Sequence, residues 1–236
     1  MSGRLYQHET IDVVAGTVRD YLEAVGEVFA PIGVERRMPF CGVFQVAATS
    51  GRWPQVVCVM EIGDWDTYAW QRTTTSTHPG MEQWKELALQ WRGSGFDHML
   101  ELLPFSPVPP TAPHFAGTGR VFVQQSLTAA PGLTDALIAL VDAALLPGML
   151  ADGFRLDAAW RSVFQPAELI AIWSLEDWDG YARMQLARDA RVAAGGEPIA
   201  GLDTAWECLA DLQERVLMPT AFSPLGGGSS ELVTTI

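Results

Sequence analysis

Asp64-Trp65-Asp66-Thr67-Tyr68-Ala69 returns 113 residues later as Asp177-Trp178-Asp179-Gly180-Tyr181-Ala182. Such self-similarity constrains the fold strongly, because each copy must be one supersecondary unit. Three further anchors keep the same order. Arg4-Leu5-Tyr6 aligns with Arg120-Val121-Phe122, and Gly16 with Gly132, at an offset of 116. Val43-Phe44-Gln45 matches Val163-Phe164-Gln165 at 120, and Phe105-Ser106-Pro107 matches Phe222-Ser223-Pro224 at 117. The 236 residues therefore read as two copies of a unit of about 115 residues, within the usual domain range. The drop in offset from 120 to 113 assigns the first copy a longer connection between its second and third strands, with residues 49–54 as the extra turn. The expected organisation is a first repeat over 1–107, a Pro-rich linker over 108–119, a second repeat over 120–225 and a flexible tail over 226–236.

Each copy reads as β-α-β-β-α-β. Leu5 to Thr10 is short, β-prone and bounded by a turn. Val18, Tyr21, Leu22, Val25 and Phe29 recur at helical spacing, and the helix is expected to stop near Pro31. Gly42 to Ala47 and Gln55 to Glu61 form a hairpin, and Asp64 is the expected N-cap of the next helix. That helical stretch runs towards Trp91 with a break at His78-Pro79-Gly80, and Asp97 to Leu103 closes the copy. The second copy repeats the order: Val121–Leu127, Leu133–Leu145, Trp160–Gln165, Leu169–Leu175, a helix from Asp177 to a break near Gly195-Gly196, and Glu214–Met218. Val56-Val57-Cys58-Val59-Met60 and Leu169-Ile170-Ala171-Ile172-Trp173 are apolar on both sides of the pleat, which predicts sheets buried on both faces. The expected fold class is α+β: two ferredoxin-like repeats whose antiparallel sheets pack face to face as an intrachain dimeric α/β barrel.

The charge balance of 15 basic against 28 acidic residues, a net of −13, argues against nucleic acid and anionic lipid as partners. No apolar run is expected to approach the roughly 18–20 residues that span a bilayer. The N-terminus lacks the apolar core of a signal peptide, and Cys41, Cys58 and Cys208 form no CxxC. A reduced, cytoplasmic protein is expected.

The chain resembles tandem dimeric α/β-barrel proteins, most closely the NIPSNAP-type members. Leu169-Ile170-Ala171-Ile172-Trp173 leading into Asp177-Trp178-Asp179, an arginine-bearing helix (Arg183, Arg188, Arg191), and the closing Glu214-Arg215-Val216-Leu217-Met218-Pro219-Thr220-Ala221-Phe222-Ser223-Pro224-Leu225 carry the resemblance. It extends over nearly the whole chain. It implies the barrel fold, in a superfamily that includes cofactor-free monooxygenases, polyketide cyclases, haem enzymes and proteins without known activity; fold alone does not choose among them.

Chlorite dismutases and aldoxime dehydratases, which resemble this architecture, carry the axial histidine in the second repeat. Here the histidines are His8, His78, His98 and His114, all in the first half; a haem would have to use His8, His98 or a cysteine. No metal-ligand spacing, nucleophile elbow or phosphate-binding glycine loop appears, so no metal and no cofactor are expected. What remains is an enclosed apolar pocket with a few polar groups. Tyr6 and His8 share one face of the first strand, while Leu5, Gln7 and Glu9 share the other. His8 is the first acid–base candidate, followed by Glu61, Arg161 and Tyr6. Trp160, Trp173, Met60, Gln45 and His98 are candidate substrate contacts. Gln45 and Gln165 are expected to be equivalent. Trp65 and Trp178 are expected as paired core anchors, Trp53 lies in the hairpin, and Trp70, Trp84, Trp91 and Trp206 are expected to pack on the sheets. The sequence reading favours a cofactor-independent enzyme that cyclises, rearranges, dehydrates or oxygenates an apolar metabolite, compatible with a homo-oligomer. A non-catalytic binding protein of the NIPSNAP kind and a haem enzyme with an atypical ligand are the alternatives.

Overall fold

The computed structural model describes residues 3–111 and 121–226. Most of the expected linker and nearly all of the expected tail lie outside the described residues.

The first repeat comprises β1 (Leu5–Val13), α1 (Val18–Ala24), a π-helical turn (Val25–Phe29), α2 (Ala30–Glu35), β2 (Phe40–Val46), β3 (Gln55–Gly63), α3 (Trp65–Thr74), α4 (Pro79–Ala88) and β4 (Arg92–Leu102). The second comprises β5 (Val121–Ala129), α5 (Thr134–Leu140), a π-helical turn (Val141–Leu145), α6 (Leu146–Ala151), β6 (Arg155–Ser162), β7 (Glu168–Leu175), α7 (Trp178–Ala193), α8 (Leu202–Ala205) and β8 (Leu209–Pro219). The strands close in the order β1-β3-β2-β8-β5-β7-β6-β4, an antiparallel eight-stranded barrel in an α+β chain.

The chain divides into two compact units. One runs up to Glu101 and takes the chain back from Met218; the other holds Leu102–Val108 and the chain up to Leu217. The Phe-Ser-Pro echo acts at these crossings. In the second unit the Ala159 N–H donates to Ser106 Oγ at 2.8 Å. In the first the Val43 N–H donates to Ser223 Oγ at 3.0 Å, and Ser223 Oγ donates onward to the Leu225 carbonyl at 2.6 Å.

Several expectations need correction. The first helix does not stop at Pro31. A proline clashes with the carbonyl four residues back and has no N–H to give. In both copies a wider π turn precedes the proline, with Ala30 N–H bonded to Val25 O and Leu146 N–H to Val141 O, and the helix continues through Pro31 and Pro147. The composite helix Thr134–Ala151 is thereby 18 residues long with a mean hydropathy of 1.6, long and apolar enough to cross a membrane by length and composition. Stopping the helix at the proline had hidden that length. Its buried side, Leu137, Val141, Leu145 and Met149, packs into the second unit's core.

β4 and β8 begin earlier than expected, at Arg92 and Leu209. Ser94 and Gly95, upstream of the expected start at Asp97, pair with Asp12 and Ile11 of β1. A Cβ at Gly95 would stand 2.7 Å from the Thr10 carbonyl oxygen, so glycine is what the close pairing requires. β6 starts at Arg155, upstream of the expected Trp160, and Val163 to Gln165 lie in the turn after it, with Phe164 70% exposed. Val43 pairs with Cys58, and Ala159 with Ala171, so Gln45 corresponds to Arg161 and not to Gln165. The longer first hairpin stands: residues 47–54 connect β2 to β3, against 163–167 between β6 and β7.

Trp65 and Trp178 are not core anchors. They are 40% and 47% exposed, each edge-on to the tyrosine one turn later, Tyr68 and Tyr181. Their helices begin at Asp64 and Asp177, whose side chains accept the Thr67 and Gly180 N–H groups, so each tryptophan sits in the capped first turn. Trp84 is buried, whereas Trp70 and Trp206 are exposed.

Candidate active site

β1 sorts its polar residues onto two faces. Tyr6, His8 and Thr10 point one way, Gln7 and Glu9 the other. The helices of the first unit cover the Gln7/Glu9 face. Tyr21 of α1 packs against Trp84 of α4 at 6.1 Å and Trp91 at 6.5 Å between ring centroids. Burial pushes the Tyr21 phenol well up, with Cys58 the next contributor and Arg92, Glu9 and Asp97 also within its field.

On this helix-covered side a groove of about 670 Å³ opens between α4 and the first half of β4, a size typical of small-molecule sites. Trp84, Ala88 and Leu89 supply its apolar wall, and Lys85, Arg92 and Asp97 supply polar groups; the Phe96 ring stands on the other face with His98, edge-to-face at 5.3 Å. Glu9 and Asp97 stand directly opposite each other on β1 and β4. Arg92 Nη2 donates to Glu9 Oε1 at 2.8 Å, and Gln7 Nε2 donates to Asp97 Oδ2 at 3.1 Å. Burial raises the Glu9 carboxyl above its ordinary value; Arg92 opposes that and Asp97 adds to it. Burial also raises Asp97, against the pull of Arg92 and the hydrogen bond from Gln7. Burial pulls the Arg92 guanidinium down, but Glu9, Tyr21 and Asp97 together hold it above its usual value. Two carboxyls with raised proton affinity thus stand beside a fixed cation, and Asp97 and Arg92 of this trio line the groove, an arrangement suited to proton abstraction and to holding the resulting oxyanion.

Four of the residues singled out in the sequence, Tyr6, His8, Glu61 and His98, stand on the opposite, helix-free face of the same sheet. His8 and His98 are directly opposite on β1 and β4, 1% and 7% exposed, edge-to-face at 6.1 Å. Tyr6 pairs with Glu61, which lies 3.5 Å from Arg4. Burial pushes the Tyr6 phenol well up, and Cys41 and Glu61 push it further. Phe44 lies over Gly42 on this face; a Cβ on Gly42 would come within 2.4 Å of its ring.

Met60 and Gln45 do not join that group. Met60 pairs with Gln7 and Gln45 with Val56, both on the helix-covered side. The remaining three belong to the second unit. Trp173 is committed to the helix-side core, edge-on to Phe154 at 6.4 Å and donating from Nε1 to Gln125 Oε1 at 2.9 Å. Trp160 pairs with Ile170, three positions from Trp173, so strand alternation puts the two indoles on opposite faces. Arg161 pairs with Leu169, a member of that helix-side core.

Sequence reasoning missed Glu9, Arg92 and Asp97 as a group. The available signal was Gln7 and Glu9 on the face of β1 that an amphipathic helix must cover, since polar residues there demand partners. Among the described residues no set of three His, Cys, Asp or Glu side chains is placed to hold a metal ion.

No protein-family model matches the chain, and no curated protein matches it. Solved structures do. A "putative monooxygenase" from Fusobacterium nucleatum superposes over 92% of this chain and 93% of its own, with a TM-score of 0.61 at 9% identity. The likeness is one of fold. An "anthrone oxidase-like protein" covers 93% of this chain and 94% of its own, with a TM-score of 0.56 at 11% identity. A NIPSNAP domain protein from Burkholderia xenovorans matches at 19% identity over 44% of this chain and 99% of its own, with a TM-score of 0.41. The tandem barrel is thus an architecture seen along whole chains of similar length.

Proposed function

We propose that the chain is an oxygenase-type enzyme for an apolar small molecule, acting in the groove between α4 and β4 without a bound cofactor. The observation that carries this reading is Asp97, a carboxyl whose proton affinity is raised by partial desolvation, lining a groove of about 670 Å³ beside Arg92. The fold likeness to proteins named as monooxygenase and anthrone oxidase supports the class. Asp97 takes the proton from an acidic C–H next to a carbonyl, and Arg92 stabilises the enolate oxygen. Trp84, Ala88 and Leu89 hold the flat apolar body. The electron-rich carbanion then reduces dioxygen: a methylene becomes a carbonyl, one oxygen atom stays in the product, and the other leaves as water with the two hydrogens.

The test is oxygen uptake with anthrone as the probe. The wild-type chain should consume oxygen and release the quinone, and Asp97→Asn should lose on the order of 100-fold in turnover, the usual worth of a general base. Full activity in Asp97→Asn overturns the assignment.

A second site is favoured by a separate observation, the buried His8–His98 pair on the helix-free face. There His8 would be the base, with Tyr6 and Glu61 as neighbours. Loss of turnover in His8→Ala with Asp97→Asn unaffected would select it.

A further inference from the structure

Lys85 is the only lysine among the 236 residues, and it lines the groove. It stands on α4 beside Trp84 and Ala88, four residues before Leu89 and therefore on the same side of the helix. Leu89 is 78% exposed, and Lys85 is exposed with it. An apolar platform and a cation thus face the same opening. Glu82 is three residues back, a spacing at which helical ion pairs form, yet among the described residues no carboxylate lies within ion-pair distance of Lys85. The other cation of the groove is already engaged: Arg92 is held by Glu9 at 2.8 Å and lies in the field of Asp97. Lys85 is therefore the cation lining the groove that has no carboxylate of its own.

The second repeat shows that neither cation is required by the fold. β4 and β8 begin 117 residues apart, at Arg92 and Leu209, and the pairing of Glu9 with Asp97 recurs as that of Gln125 with Glu214. At that offset Lys85 corresponds to Leu202 and Arg92 to Leu209. Leu202 is buried in the second unit's core, and Leu209 packs against it. Glu214 is met instead by Arg188 of α7, at 3.2 Å. Where one copy packs two leucines, the other presents two cations to an open groove.

We infer that the molecule bound in the groove is an amphiphilic anion, with a flat apolar body on Trp84, Ala88 and Leu89 and an anionic oxygen, carboxylate or phenolate, at Lys85. This rests on the reading of the groove as the ligand site, and makes Lys85 the residue that selects the substrate class. A chain with a net charge of −13 repels anions at long range, so a local cation is what admits one. When Asp97 takes the substrate proton, the substrate gains a second negative charge. Arg92 then faces the enolate and Lys85 the resident anion, so each charge has its own cation.

The test is isothermal titration calorimetry of the full chain with 2-naphthoate and with its uncharged counterpart, 2-naphthamide. At low salt the wild type should bind naphthoate about three- to five-fold more tightly, the size expected of an exposed charge pair. Sodium chloride at about 0.5 M should erase the difference. Lys85→Met keeps the helix and most of the stem, and should bind both probes as the wild type binds naphthamide. Lys85→Arg should retain the preference. Equal binding of the two probes by the wild type, or a preference that survives Lys85→Met, would overturn the inference. Binding needs no turnover, so a failed oxygen-uptake assay leaves a positive result standing. No binding of either probe, or naphthamide binding unchanged in Leu89→Asp, would remove the groove as the ligand site and the inference with it.

Discussion

Asp97 owes its chemistry to three neighbours that β4 and β1 place around it. Burial favours the protonated acid, while Arg92 and the Gln7 amide favour the carboxylate. Gln7 is the adjustable one, because it carries no charge and touches Asp97 through a single bond of 3.1 Å. Removing it with Gln7→Ala takes away a downward influence, so the Asp97 carboxyl should rise further. A base must be deprotonated to act, so the acid limb of the pH profile of kcat/KM should move to higher pH in this variant. An unmoved limb would mean that Asp97 does not set that limb.

At the scale of elements, the segments that leave β4 and β8 are tied down by one serine each. Ser223 is fully buried and makes two hydrogen bonds, whereas Ser106 is partly exposed. Removing a buried hydroxyl orphans the Val43 N–H and the Leu225 carbonyl, at about 1–3 kcal/mol. Urea unfolding should therefore show Ser223→Ala to be clearly less stable than wild type and Ser106→Ala to be affected less. These serines were visible in the sequence as a repeat anchor, because duplication preserves the residues that close a unit. The β-α-β-β-α-β order was equally readable from apolar spacing and from Asp64 and Asp177 as caps. The strand ends were not, because Gly95 carries no strand signal until a neighbouring backbone is seen to need the space. The helix ends failed for a related reason: the π turns that accommodate Pro31 and Pro147 have no local signature. For the site, alternation along β1 separates Tyr6 and His8 from Gln7 and Glu9, but it does not say which of the two faces a helix covers. Arg92 and Asp97 come to Glu9 through strand pairing some 90 positions away in sequence, which one sequence cannot specify.

For the whole molecule the acidic balance of −13 and the carboxyls of raised proton affinity act in the same direction. Glu9, Asp97 and Asp157 are each raised, chiefly by burial, so the native chain holds protons that the unfolded chain releases. Their contribution is fully present below the ordinary carboxylate values and is lost as pH rises through their higher native ones. Asp64 acts oppositely, lowered by its bonds to Thr67, but it is one exposed cap against three raised carboxyls, of which Asp157 is buried and Glu9 half-buried. Falling net charge also relieves self-repulsion on the acid side. Thermal stability should therefore peak below neutrality, on the upper edge of the carboxylate range, and decline towards pH 8 in a buffer series. A flat profile, or a maximum above neutrality, would contradict the raised proton affinity of these three groups.

Where the ligand sits is the claim on which the functional account rests. A crystal structure of the chain soaked with a hydroxylated anthrone reads it directly. The account predicts ring density between α4 and β4, with an oxygen in hydrogen-bond range of Arg92 and the reacting carbon beside Asp97. Density against His8 and His98, with the groove filled by water alone, would contradict it.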